Sequence, residues 1–92
     1  MSDRFRIYRH DGEAVFMDLK GREAWALREL LTAGPGGITS LENPAPRLSD
    51  YIFKLRKRGI EVATVTEIHG GEFAGTHARY VLRTKVERVA HV

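Results

Sequence analysis

The residues best suited to chemistry lie in one segment, PRLSDYIFKLRKRGIEV, at positions 46–62. Its apolar residues recur at helical spacing and form one stripe: Leu48, Tyr51, Ile52 and Leu55. The side chains that point away from this stripe are Arg47, Ser49, Asp50, Phe53, Lys54, Arg56 and Lys57. Long cationic side chains in such a row suit a polyanion. The alternative is an ordinary core helix with a solvated basic face, whose cations lie at the negative end of the helix dipole.

Two other groups of residues are weaker candidates for chemistry. His69 and His77 could face each other across a loop, but two histidines without a third ligand do not predict a metal site. The sequence contains no cysteine and no Gly-x-x-x-x-Gly-Lys motif, and it offers no convincing Ser-His-Asp set. The Gly-rich stretch GGEFAG connects two strand-like runs and so lacks the helix N-terminus that phosphate binding uses. We therefore expect no enzymatic activity, no metal and no cofactor.

The composition limits the class of protein. A chain of 92 residues is the size of one small domain, and its 15 Lys and Arg against 12 Asp and Glu give a net charge of +3. This excess favours polyanionic partners weakly. No apolar run approaches the roughly 18 residues of a membrane span, and the N-terminus is charged throughout. We expect a cytoplasmic protein that has no contact with a membrane.

The first half of the chain predicts a hairpin followed by a helix. Asp11 and Gly12 separate two strand-like runs, a strong signal for a β-hairpin. Good helix formers over 19–33 predict a first helix that ends at Gly34. Trp25 falls on the side of this helix away from Leu27, so something must cover it. The N-terminal hairpin is the nearest candidate, and a second copy of the protein is the next.

The second half predicts two further helices and a second hairpin. Thr39 and Glu42 have capping-box spacing, which predicts a second helix of about one turn from Ser40. The segment 46–58 predicts a third helix, which Gly59 ends. The runs IEVATVTEI and ARYVLRTKV predict two strands joined by a loop. The tail from Glu87 has no clear partner and is expected to fray.

This order of elements predicts an α+β fold, a winged helix-turn-helix with three helices, a C-terminal β-hairpin wing and an additional N-terminal β-hairpin. We expect a single domain over 1–92, divided into a hairpin extension (1–18), a winged-helix core (19–84) and a tail (85–92). A generic small α+β domain with the same elements packed differently is the alternative.

Three stretches carry a resemblance to a known family: GPGGITSLE, RLSDYIFKLRKRGIEVAT and ARYVL. Within them, the positions that match the family's pattern are Thr39, Glu42, Arg47, Leu48, Ile52, Leu55, Arg56, Gly59, Ile60, Arg79, Tyr80 and Leu82. Over roughly Ala24 to Leu82, the chain resembles the small winged helix-turn-helix domains common in bacteriophage and prophage genomes. Much of this pattern is core and caps, so it indicates fold more than function.

The resemblance implies binding of double-stranded DNA by a small transcriptional regulator or phage-type accessory factor. The third helix would then lie in the major groove and the wing on the flanking backbone. The residues expected to contact DNA are Arg47, Ser49, Phe53, Lys54, Arg56, Lys57, His77, Arg79 and Arg83. We expect Asp50 to pair with Lys54, four residues later.

A second interpretation stays open. Trp25, Phe53 and the N-terminal hairpin could form a homodimer or protein-partner surface on the same scaffold, without DNA binding. Phe53 could touch a thymine methyl, stack on a base or lie in a protein interface. The N-terminal hairpin could also shield it and close the basic face. The sequence does not decide between DNA and RNA or give a target site.

Overall fold

The computed structural model describes residues 2–42, 47–71 and 74–91, apart from the side chains of residues 90 and 91. Its elements, in chain order, are β1 (Ser2–Tyr8), β2 (Ala14–Lys20), α1 (Gly21–Ala33), a 3-10 turn (Gly34–Gly36), β3 (Ile38–Thr39), α2 (Leu48–Lys57), β4 (Val62–His69), β5 (Gly75–Leu82) and β6 (Val86–His91). The strands form two antiparallel three-stranded sheets, with the orders β2-β1-β6 and β3-β5-β4. We call the first the N-terminal sheet and the β4–β5 hairpin the wing.

The predicted N-terminal hairpin is confirmed, and its second strand runs to Lys20 rather than residue 18. The turn closes when the Gly12 N–H donates to the Arg9 carbonyl at 3.0 Å and the Arg9 N–H donates to the Glu13 carbonyl at 2.8 Å. Only Gly12 adopts a positive φ, of 88°, and the Asp11 carboxylate instead accepts the Glu13 N–H. The Asp-Gly pair therefore makes the turn with one left-handed residue instead of two.

The prediction that the tail lacks a partner is wrong. Residues 86–91 form β6, which pairs antiparallel with β1 and extends the hairpin to three strands. Arg88 on β6 and Arg28 on α1 both donate to the carboxylate of Asp3, which is only 2% exposed. Burial raises the pKa of Asp3, but the hydrogen bond from Arg28 and the charges of both guanidinium groups outweigh it, so the pKa is lowered. This cluster joins β1, β6 and α1.

The predicted first helix is confirmed as α1, which lies at the centre of the core. It begins at Gly21 because Leu19 and Lys20 belong to β2, and it ends at Gly34, where φ is +58°. The helix contacts strands of both sheets as well as α2. Its buried residues are Ala24, Ala26, Leu27 and Leu30. Burial of this apolar face is what holds the two sheets on one core.

The predicted second helix is wrong, and with it the three-helix fold class. The Thr39 hydroxyl does accept the N–H groups of Leu41 (3.2 Å) and Glu42 (3.0 Å), as a cap would. However, residues 40–42 form a turn and not a helix, and positions 43–46 lie outside the described residues. The described part of the chain contains two α-helices and six strands. A threonine can close a turn by the same bonds that begin a helix.

Trp25 is half-buried. The N-terminal hairpin and a second copy of the protein were the expected cover, but residues of the two helices also contact the indole. The ring of Tyr51 on α2 meets it edge to face, with ring centroids 6.5 Å apart. The guanidinium of Arg22 lies over the indole at 5.6 Å. The helix pair thus encloses the indole at the outer edge of the core.

The two strands predicted for the wing are confirmed as β4 and β5, and their side chains alternate between two faces. Thr64, Thr66 and Ile68 face one side of the hairpin, and Val65, Glu67 and His69 face the other. β3 joins the wing through pairs between Ile38 and Tyr80 and between Thr39 and Arg79. Among the described residues, no helix is long and apolar enough to cross a membrane.

Candidate nucleic-acid interface

α2 presents a fixed outer face. Leu48, Ile52 and Leu55 are buried, as the apolar spacing predicts, and they set the rotation of the helix against α1. Gly59, with φ +90°, ends the helix, and its N–H donates to the Arg56 carbonyl at 3.0 Å. The predicted start at Pro46 lies outside the described residues. The exposed residues around the helix are Arg47, Ser49, Phe53, Lys54, Arg56 and Lys57.

Two pairs of side chains organise that face. The Lys54 ammonium lies 3.4 Å from the Asp50 carboxylate, so the predicted ion pair is confirmed. The Lys57 ammonium lies 5.3 Å from the centroid of the Phe53 ring, within range of a cation–π contact. Phe53 remains 56% exposed, so the N-terminal hairpin does not shield it. The face is therefore open to a macromolecular partner.

Arg56 is held by the wing. Its guanidinium donates to the Val62 carbonyl from Nε (3.1 Å) and Nη2 (2.6 Å), and Nη2 also donates to the Thr64 hydroxyl at 2.7 Å. These bonds fix the base of β4 against α2. Arg56 thus has a structural role that sequence spacing did not reveal.

The guanidinium of Arg79 makes hydrogen bonds to other parts of the protein from all three of its nitrogen atoms. Its Nε donates to the Glu67 carboxylate at 2.9 Å, its Nη1 to the Gly36 carbonyl at 2.8 Å and its Nη2 to the Glu42 carboxylate at 2.7 Å. The hydrogen bond with Glu67 raises the pKa of Arg79, and the same bond lowers the pKa of Glu67. The charge of this wing arginine is offset by two carboxylates of the protein itself.

His77 also contacts Glu67, the carboxylate that Arg79 bonds. Its Nε2 lies 3.0 Å from Glu67 Oε1 and its Nδ1 lies 2.9 Å from His69 Nδ1. The two histidines do face each other, as their spacing suggested. Across residues 2–42, 47–71 and 74–91, no group of three or more His, Cys, Asp and Glu side chains is placed to hold a metal ion.

The remaining predicted contacts lie at different points of the surface. Arg47 is exposed at the start of α2, where its carbonyl accepts the N–H groups of Asp50 and Tyr51. Ser49 lines a cleft with Thr76 of β5, so the start of α2 and the wing border one depression. Arg83 is exposed beyond the end of β5, where its N–H bonds the Glu61 carbonyl at 2.9 Å.

The contacts predicted from sequence leave out three cations that lie beside α2. Lys20 and Arg22, at the start of α1, line a cleft with Lys54, and Arg58 lines the adjoining cleft with Lys54 and Lys57. Lys20 and Arg22 lie more than 30 residues from Lys54 in sequence. Only the packing of α1 on α2 brings them together, so no local pattern could have indicated it.

The family model described as "Winged helix domain" matches residues 16–92. The chain belongs to this winged helix family. No curated protein and no solved structure matches the chain. As a winged helix, the protein has a fold that is typically DNA-binding and non-enzymatic. The match extends over β6, the segment whose sequence alone indicates a fraying tail.

Proposed function

We propose that this winged helix binds duplex DNA through the exposed face of α2, as a small transcriptional regulator or phage-type accessory factor. One observation carries the proposal: the buried stripe of α2 fixes an opposite face on which Phe53, Lys54 and Lys57 are open to solvent. An α-helix fits the major groove of B-DNA, where base edges can be distinguished. The resemblance to phage and prophage domains supports the finer role.

The exposed residues of α2 differ in the part of DNA that their side chains suit. In this proposal Ser49, near the start of the helix, bonds a base edge or a phosphate. Phe53 offers an apolar contact to a thymine methyl. Lys54, Lys57 and Arg47 are long cations that suit phosphate oxygens. In this proposal the phosphate contacts supply affinity, and Ser49 and Phe53 supply sequence preference.

The wing contributes through hydroxyl groups more than through charge. We leave Arg56, Arg79 and His77 out of the proposed contacts because their polar groups bond within the protein. Thr66 and Thr76 are exposed on the wing face that also carries Thr64, the partner of Arg56. Threonine hydroxyls donate to phosphate oxygens, so this face is suited to the flanking backbone. Arg83 remains a proposed contact.

Fluorescence anisotropy with a labelled random duplex tests the proposal. We expect binding with a Kd of about 1–100 μM near physiological salt, and tighter binding at low salt. Absence of any anisotropy change up to about 100 μM protein at low salt would rule the proposal out. Duplex RNA and single-stranded DNA of the same length, measured in parallel, decide which nucleic acid is preferred.

A protein-interaction surface is the second candidate function. Ile68 is 87% exposed and Val65 is 42% exposed, and both lie on β4, an edge strand of its sheet. Exposed β-branched residues on an unpaired edge favour strand addition by another chain. Light scattering across a range of concentrations tests the self-association version, which a strict monomer would exclude.

A further inference from the structure

The cations that surround α2 are distributed unevenly. A cleft of about 640 Å³ between the start of α1 and α2 is lined by Lys20, Arg22, Tyr51 and Lys54, among others. A second cleft, lined by Lys54, Lys57 and Arg58, adjoins it, and Glu23 borders both. We call this continuous surface the α1–α2 cleft. Its cations are Lys20, Arg22, Lys54, Lys57 and Arg58.

The α1–α2 cleft keeps an excess of positive charge after its internal ion pairs. Glu23 accepts from Arg58 at 2.6 Å, and Asp50 lies 3.4 Å from Lys54. Five cations thus face two carboxylates. Lys20 lies at the start of the cleft and is exposed, and Arg22 contacts the indole of Trp25 rather than a carboxylate. Three of the five cations, Lys20, Arg22 and Lys57, therefore keep charge that no ion pair among the described residues offsets.

The charges on the wing side of α2 are closer to balance. Arg79 bonds Glu67 and Glu42, so two carboxylates surround one cation there. The Arg56 guanidinium keeps its charge, but hydrogen bonds to the Val62 carbonyl and the Thr64 hydroxyl hold it against the protein. A phosphate backbone that approaches α2 consequently meets more uncompensated positive charge on the α1 side than on the wing side.

We propose that the α1–α2 cleft binds the phosphate backbone of one nucleic-acid strand beside the groove that α2 enters. This inference rests on the proposed DNA binding and adds Lys20 and Arg22 to the contact surface. The cations are solvent-exposed and spread along a groove, so each would hold an isolated phosphate only weakly in water. A strand of regularly spaced phosphates engages several cations at once and releases a counterion at each contact.

The test is the salt dependence of duplex binding by Lys20→Gln/Arg22→Gln. We expect the slope of log Kobs against log salt to become smaller in magnitude by about two, with affinity lowered equally for all duplex sequences. The matched control is Arg9→Gln/Lys85→Gln, which removes two cations at the hairpin turn and beside β6, and its slope should equal that of the wild type. Because Arg22 packs on Trp25, Lys20→Gln alone is the second variant, with an expected decrease of about one.

The outcomes separate the two proposals. If the wild type binds and both cleft variants keep its slope, the cleft proposal fails and DNA binding by α2 stands. If the control lowers the slope as much as the cleft variants do, the effect comes from net charge alone and the cleft proposal also fails. If the wild type does not bind duplex DNA, both proposals fail. The expected decreases, absent from the control, support the cleft.

Discussion

The Nε of Arg79 on β5 lies 2.9 Å from Oε2 of Glu67 on β4, its diagonal neighbour across the wing. The same guanidinium reaches the Gly36 carbonyl and the Glu42 carboxylate, so one side chain joins β4, β5, the 3-10 turn and the loop after β3. In sequence, Arg79 looks like a cation on a DNA-facing wing. In the structure it connects the wing to the body of the protein, which shifts the expected phosphate contacts towards α1.

Arg79→Gln should destabilise the fold without altering the salt dependence of DNA binding. It removes charge-assisted bonds at a side chain that is only 24% exposed, so we expect a loss of about 1–3 kcal/mol in the free energy of unfolding. Urea denaturation measures it. Arg83→Gln, four residues later and exposed, is the control and should change stability by less than about 0.5 kcal/mol. A decreased salt slope with unchanged stability would instead place Arg79 on phosphate.

Gly37→Ala should be clearly destabilising. Gly37 has φ +66°, and an added Cβ would lie 2.5 Å from the Tyr80 carbonyl oxygen and 2.8 Å from a methyl carbon of Val81. The combination of strained backbone and overlap with β5 should cost at least about 1–3 kcal/mol in thermal or urea unfolding. The adjacent Gly36→Ala is the control, because nothing lies within 4 Å of its Cβ and its φ is not positive. Equal stability of the two variants would contradict the close packing of this turn on β5.

Acid should weaken the fold partly through Asp3. Its pKa in the folded state lies below the ordinary value of 3.8, so its ion pairs contribute stability above that pH, which is lost as pH falls through the folded-state pKa. Asp3→Asn should lower stability near neutral pH and reduce the loss below pH 4 (about the unfolded pKa). Asp18→Asn is the comparison, since its pair with Arg4 is half exposed and should matter less. Identical pH profiles for wild type and Asp3→Asn would refute this role.

Lys57→Gln should reduce the salt slope of DNA binding by about one unit and leave the order of preferred sequences unchanged. The reason is that the proposal assigns its ammonium, which lies over the exposed Phe53 ring, to a phosphate and not to a base edge. A salt titration by anisotropy provides the measurement. Lys85→Gln removes the same charge from a lysine that lies over Tyr8, and its slope should match the wild type. An unchanged slope for Lys57→Gln would exclude the contact.

The sequence predicts well what depends on local patterns. Short stretches of sequence predict both hairpins and the Asp50–Lys54 pair. They also predict which residues of α2 are buried and that this helix ends at Gly59. Each is decided by residues within one element or one turn.

What the sequence did not reveal depends on contacts between distant segments. β6 finds its partner in β1, some 80 residues earlier, and its alternating pattern is too short to stand out. The bonds of Thr39 close a turn instead of a helix, and no local signal separates those outcomes. Whether Arg79 faces a phosphate or Glu67 depends on where packing places Glu42 and the 3-10 turn.

Backbone chemical-shift mapping of the ¹⁵N-labelled protein with a short DNA duplex tests the central claim most directly. The proposal predicts the largest perturbations at Ser49, Phe53, Lys54 and Lys57 on α2, with a second group at residues 20–22. The outer face of the N-terminal sheet, including Arg4 and Phe16, should stay unperturbed. Perturbations confined to that sheet, or none on α2, would contradict the proposal that α2 is the DNA-binding element.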